Sequence, residues 1–354
     1  MQTFPLTASD AAGGGPHNRF EVLMRTVRER LGLASPAVRE IASNDAEEPE
    51  RGADGREIQI PLHFGEDVRF DTSCRFTGRS DGPLDDYDMN DMRAFAHLTG
   101  QYIQERIDHS RARNDRRTAI RDIIARKAIE MVFQPVIRID RPKVEFVEAL
   151  ARFPTCRPSA PIGWFNDAFD VGLGIELEVL AFDSAMAQIA GLPNTTALSI
   201  NVSPDTLLSP AMQERLAAAP ARRLIIEVTE HRPVTNYVTL GEALRPFRKR
   251  GLRLAVDDAG AGYANLRHIL DLQPDIIKLD MSLSRGIDRD PARRALAAAL
   301  IQFAAAVDAE LVAEGVESPA ELAALRSLGI AMVQGHIYAR PAAMGTLGGD
   351  SLAA

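Results

Sequence analysis

Seven short aliphatic runs between residues 144 and 335 end on side chains that can hold a cation or a phosphate. Glu148 lies near the end of 144-VEFVEALARF-153, Asn201 ends 197-ALSINVS-203, and Glu227 and Glu230 close 223-RLIIEVTE-230. Asp257 and Asp258 follow 252-LRLAV-256, Lys278 and Asp280 end 275-DIIKLD-280, Glu314 and Glu317 end 310-ELVAEGVE-317, and Gln334 ends 331-AMVQG-335. One such acid alone reads best as a solvated loop carboxylate or a helix cap; the unbroken series is the signal. Carboxylates crowded into one site raise each other's pKa unless cations neutralise them. Oxygen donors without histidine form a hard set, suited to Mg2+ or Mn2+ rather than zinc or copper. Two adjacent aspartates can serve two ions ~3.5–4 Å apart, a layout used for phosphoester displacement. Gly260 and Gly262 permit a tight loop close to them. Lys278, after an apolar run, would orient a nucleophilic water or hold a phosphate rather than snorkel at a surface.

These residues need a scaffold that brings distant strand ends together. The apolar runs, with 131-MVFQPVIRI-139 as the first, alternate with helical stretches at 176–190, 239–250, 292–308 and 319–329. Strands alternating with helices imply βαβ units and a mainly parallel sheet. Eight strands in this span predict an α/β fold of the modified TIM (β/α)8 type, whose strand ends meet at one mouth. No helix separates 131–139 from 144–153, so this pair predicts a hairpin and one antiparallel strand.

Upstream, 1–17 reads as a loose glycine-containing tail and 18–105 as a small α+β domain with a helix over 20–33, a charged loop over 44–57, and strands over 57–64 and 68–76. A helical stretch from 87 to 130 follows, arginine-rich over 106–128, then the barrel domain at 129–345 and a tail at 346–354. Acids interspersed at Asp108, Asp115 and Asp122 make the basic stretch an exposed linker helix; the competing reading is a nucleic-acid-binding helix. A net charge of −8 argues against a general attraction to nucleic acid or anionic membrane, so an anionic substrate needs local arginines, lysines or metal ions. Cys74 and Cys156 have neither disulfide nor zinc spacing and read as free thiols of a cytoplasmic protein. No run approaches the ~20 apolar residues of a membrane span, and the start lacks a secretory pattern.

The triplet Glu148-Ala149-Leu150, with 201-NVS-203, 227-EVTE-230, 257-DDAGAGYANL-266, 278-KLD-280, 313-AEGVES-318 and 334-QG-335 before Arg340-Pro341, resembles the EAL domain family of bacterial cyclic di-GMP phosphodiesterases. The resemblance implies hydrolysis of cyclic di-GMP to linear pGpG with two Mg2+ or Mn2+ ions. It implies that Glu148, Asn201, Glu227 and Asp257 hold one ion, and that Asp257 and Asp258 hold the other. Glu314 would be the general base, Lys278 would fix the nucleophile or steady developing charge, and Glu317 would support them. Gln134, Leu150, Arg152, Asp280 and Gln334 would meet the dinucleotide or support its site. The acid matching Glu230 steadies the loop after the aspartate pair. That loop is usually DDFGTGYSSL in the family; here Ala259, Ala261, Ala264 and Asn265 replace its Phe, Thr and both Ser, which leaves open a receptor that binds without turnover. Residues 18–105 resemble a shortened GAF sensory domain with an unidentified ligand, the alternative being an unassigned α/β module. A homodimer is the expected assembly.

Overall fold

A computed structural model describes residues 3–4, 37–41, 50–51, 57–61, 73–79 and 86–346, except 142, 155–159, 230–235 and 260–268. The chain divides into two units, Met1–Asn114 and Asp115–Ala354.

In the first unit, β1 (Thr3–Phe4), β2 (Ala37–Ile41), β3 (Glu50–Arg51), β4 (Glu57–Pro61) and β5 (Ser73–Arg79) form an antiparallel sheet in the order β1-β2-β5-β4-β3. The two expected strands are β4 and β5; the second begins several residues later than its periodicity suggested. The expected helix over 20–33 lies outside the described residues, and Cys74 stands in β5.

Helix α1 (Asp86–Arg126) runs unbroken through the boundary expected between 105 and 106. Its last turns bury Ile120 and Ile123, while most of its other positions from 108 onward are exposed. Arg126 pairs with Asp122 at 2.7 Å, one turn apart, and Arg116 pairs with Asp167 at 3.7 Å. Among the described residues, no helix is long and apolar enough to cross a membrane.

The second unit is a closed barrel. Its elements are β6 (Glu130–Arg138), β7 (Lys143–Arg152), α2 (Pro161–Asp170), α3 (Gly174–Met186), β8 (Ala197–Val202), α4 (Pro204–Leu207), α5 (Pro210–Ala218) and β9 (Leu224–Val228). They continue as α6 (Tyr237–Lys249), β10 (Arg253–Ala259), β11 (Ile276–Leu279), α7 (Met281–Ser284), α8 (Pro291–Ala306), β12 (Glu310–Ala313), α9 (Pro319–Ser327) and β13 (Met332–Val333). Strand order around the barrel is β10-β11-β12-β13-β6-β7-β8-β9. β6 runs antiparallel to both neighbours, β7 and β13, and the other pairs are parallel, as the missing helix predicted.

The helices buttress this barrel through apolar stripes. On α6, Leu240, Leu244 and Phe247 keep helical spacing and are buried against the sheet. Caps set where helices start: Asn236 accepts from Thr239 N–H, Asp290 from the N–H groups of Ala292 and Arg293, and Ser318 with Glu321 forms a reciprocal capping box. The sequence periodicity did not reveal α2. It is a two-to-three-turn helix with Pro161 at its first position, and only Trp164 and Ala168 are buried on it.

Candidate active site at the barrel mouth

The barrel interior is layered. One apolar layer takes one residue from each strand: Val136, Phe146, Ala197, Ile225, Ala255, Ile276, Val312 and Met332. Side chains alternate along a strand, so the next interior position lies two residues onward, or two back on antiparallel β6. Those positions are Gln134, Glu148, Ser199, Glu227, Asp257, Lys278, Glu314 and Gln334, and none is apolar. A polar layer therefore sits directly on a hydrocarbon floor.

Lys278 is its hub, with 1% of its surface exposed. Its Nζ lies 2.6 Å from Glu314 Oε1, 2.8 Å from Glu227 Oε2, 3.2 Å from Glu148 Oε2 and 3.5 Å from Asp257 Oδ1. Neighbouring amides and a hydroxyl orient the acids. Asn201 donates to Glu148 Oε1 at 2.9 Å, Gln334 to Glu148 Oε2 at 2.7 Å, and Ser199 to Glu227 Oε1 at 2.6 Å. Gln334 also donates to Gln134 Oε1 at 3.1 Å, and Gln134 donates to the Ala339 carbonyl at 3.0 Å.

Four carboxylates face one ammonium, which leaves three negative charges uncompensated if all are ionised. Their protonation reflects this deficit. Burial, then the charges of Glu148 and Asp257, pushes Glu227 up to about 8, against the opposing pull of Lys278. Burial also drives Glu314 well above the carboxylate range. Burial works against ionised Glu148 too, but Lys278, Gln334 and Asn201 outweigh it and hold its pKa below normal. Desolvation opposes the Lys278 ammonium, yet Asp257 and the three glutamates raise its pKa well above the ordinary lysine value. The ammonium thus helps keep Glu148 ionised, while Glu227 and Glu314 are pushed toward their protonated forms.

The donor set fits hard divalent ions: carboxylate and amide oxygens, a charge deficit, and a buried Gln334 Oε1 with no hydrogen-bond donor among the described residues. Among the described residues, no three His, Cys, Asp or Glu side chains are already drawn together as an ion's ligands; the ammonium stands at that centre.

A cavity of about 210 Å³ adjoins the polar layer. Asn201, Asp257, Arg152, Glu178 and Asn166 supply its polar wall, and Met131, Leu150, Ile162, Phe165 and Phe169 its apolar one. The ring of Phe153 packs edge-on against Phe165 at 5.6 Å and tilted against Trp164 at 5.6 Å, which fixes α2 over the end of β7.

Thus the structure brings together Gln134, Glu148, Asn201, Glu227, Asp257, Lys278, Glu314 and Gln334, with Leu150 and Arg152 at the adjoining cavity. It does not bring Glu317 into this cluster; its carboxylate pairs with Arg285 at 2.6 Å and lies 3.6 Å from His336 Nδ1. Asp280 caps α7, accepting from Ser282 N–H at 3.0 Å. Asp258 lies on β10 without a described side chain, and Glu230 falls outside the described residues. The sequence reading missed Ser199 and Glu178. Ser199 was legible as the interior position two residues before Asn201. Glu178 was legible as a carboxylate within the apolar run of α3, beside buried Leu177 and Ala181.

The EAL domain family matches residues 115–341. The chain is 29% identical over 223 residues to the cyclic di-GMP phosphodiesterase RocR of Pseudomonas aeruginosa, covering 60% of this chain and 57% of RocR. It is 29% identical over 227 residues to the probable cyclic di-GMP phosphodiesterase PdeI of Escherichia coli, covering 60% of this chain but 28% of PdeI. Among solved structures, the manganese and cyclic di-GMP complex of Klebsiella pneumoniae BlrP1 superimposes with a TM-score of 0.54 at 30% identity, over 61% of this chain and 56% of BlrP1. The family match does not extend over the amino-terminal unit, where the GAF likeness remains a resemblance.

Proposed function

The chain belongs to the EAL domain family, and from that premise we propose that it hydrolyses cyclic di-GMP to linear 5′-pGpG. The polar layer on the barrel floor carries this reading: a buried lysine ringed by four acids beside a cavity with both apolar and polar walls. Glu148, Asn201, Glu227 and Asp257 would hold one Mg2+ or Mn2+ ion and Asp257 with Asp258 a second; when bound, such ions supply Lewis-acid polarisation of phosphate and water.

The chain's own residues do the rest. Glu314, buried and 2.6 Å from Lys278 Nζ, would take the proton of the attacking water in its ionised form, which divalent cations at the neighbouring acids would favour by offsetting their charge. The Lys278 ammonium, fixed by its acids, offsets negative charge that develops at phosphorus. Arg152, at the cavity wall, holds a phosphate, while Leu150, Phe165 and Phe169 exclude water around the nucleotide. Residues 18–105 act as the regulatory module of a homodimer, linked through α1 to the catalytic domain at 129–345.

The test is direct. Full-length protein incubated with cyclic di-GMP and Mg2+ or Mn2+ is expected to yield pGpG, and the Asp257→Asn variant to yield none while remaining folded. The replaced residues Ala259, Ala261, Ala264 and Asn265 favour a second reading, a receptor that binds without turnover. Tight binding with no product in either metal would leave that reading alone.

A further inference from the structure

At the opposite end of the barrel the charge pattern inverts. An open groove of about 510 Å³ is lined by Arg222, Arg248, Lys249, Arg250 and Arg253, with Gly251 and a single acid, Glu145. That acid is already engaged: its Oε2 pairs with Arg138 at 3.0 Å and with Lys143 at 2.9 Å. In a chain of net charge −8, five cations thus face one another with no free carboxylate among the groove's lining residues.

Two of the five are structural anchors. Arg248 donates to the carbonyls of Leu272 and Gln273 and pairs with Asp275, and Arg250 donates to the carbonyls of Ala217 and Ala219. Those bonds hold both guanidinium groups in place at the carboxyl end of α6, where cations are favoured by the helix dipole. Arg222, Lys249 and Arg253 have no such anchor: among the described residues, none of these three side chains makes a hydrogen bond or ion pair. Gly251 leaves room for Arg222, since at its φ of +101° a β-carbon would stand 2.7 Å from Arg222 Cγ. Self-repelling cations gain from a shared anion, and a guanidinium-rich set matches phosphate geometry. None of the groove's lining residues is aromatic, so it offers no stacking platform for a base.

We propose that this groove is a second ligand site, which takes an oligophosphate anion through its phosphates alone. It is separate from the barrel mouth: Arg253 begins β10 and Asp257 lies four residues along it, ~13 Å away by the strand rise. The source is either inorganic polyphosphate or the phosphate chain of a nucleotide.

The test is calorimetric titration of the full chain with inorganic tripolyphosphate and, separately, ATP. EDTA is present so that no divalent ion draws phosphate to the barrel mouth. The expected result is saturable, salt-sensitive binding of both probes, with affinities within about threefold of each other. The Arg222→Gln/Lys249→Gln/Arg253→Gln variant should lose at least tenfold in affinity for both, with an unchanged unfolding temperature. The single exposed change Lys249→Glu should lose several-fold, which guards against a misfolded triple variant. No saturable tripolyphosphate binding, or unaltered binding in both variants, overturns the site. Binding of ATP more than tenfold tighter than tripolyphosphate overturns recognition through phosphates alone.

Discussion

Lys278 Nζ lies 2.6 Å from Glu314 Oε1, and both groups are enclosed by Glu148, Glu227 and Asp257. Removing one partner of a buried charge network leaves the others uncompensated, at a cost of about 3–5 kcal/mol. Lys278→Met in EDTA is therefore expected to unfold at markedly lower urea concentration than the wild type. Adding Mn2+ should recover much of the loss, because a divalent ion can replace the missing positive charge. Equal urea midpoints for variant and wild type in EDTA would show that the lysine does not hold the acids together.

The same cluster predicts a pH dependence. Glu227 is raised to about 8 in the fold against an ordinary 4.5, so the native state binds more protons than the unfolded chain between those values. Its stabilising contribution is complete below about pH 4.5 and is lost as pH climbs through about 8. Metal-free protein should accordingly weaken from pH 5 to pH 8, and Glu227→Gln should flatten that slope. Thermal unfolding in EDTA across this range is the measurement, and a stability that rises with pH in the wild type would contradict the assignment.

Much of this architecture was legible in the residues themselves. Aliphatic runs ending on Glu148, Asn201, Glu227, Asp257, Lys278, Glu314 and Gln334 gave the strands and the mouth, and the helix-free gap after Ile139 gave the antiparallel β6. Which of two acids at one strand end turns inward needed the apolar layer as a reference. Glu314 directly follows β12, two residues beyond Val312, and alternation still carries it to the interior, whereas Glu317 lies past the strand end and the Gly315 turn at φ +63°. Glu178 stood out as a carboxylate in the apolar run of α3, but helical periodicity alone does not say what a buried carboxylate bonds to.

That difference in placement gives a paired test. Glu314→Gln removes the proton acceptor at the Lys278 hub and should lower kcat by at least about 100-fold. Glu317→Gln disturbs exposed contacts with Arg285 and His336 and should change kcat by less than about tenfold. Steady-state pGpG production compares them, and equal losses would place both acids in the chemistry.

Glu178 ties α3 to the end of β8. Its Oε2 accepts from Ser203 N–H at 3.0 Å and from Ser203 Oγ at 2.7 Å, two residues beyond Asn201, and the same hydroxyl caps α4. Burial raises its pKa despite the bonds from Thr206 and Ser203. Glu178→Ala strands the Ser203 N–H and should cost about 1–3 kcal/mol while weakening Mn2+ binding through the loosened end of β8. Glu178→Gln keeps an acceptor oxygen and should restore metal affinity. Because the raised carboxyl contributes stability that disappears as pH rises through its folded pKa, the Gln variant should gain on the wild type from pH 5 to pH 8. Chemical denaturation at both pH values, beside Mn2+ titration, separates the hydrogen-bonding role from the charge. If Gln proved as damaging as Ala at pH 5, the acceptor role would be wrong.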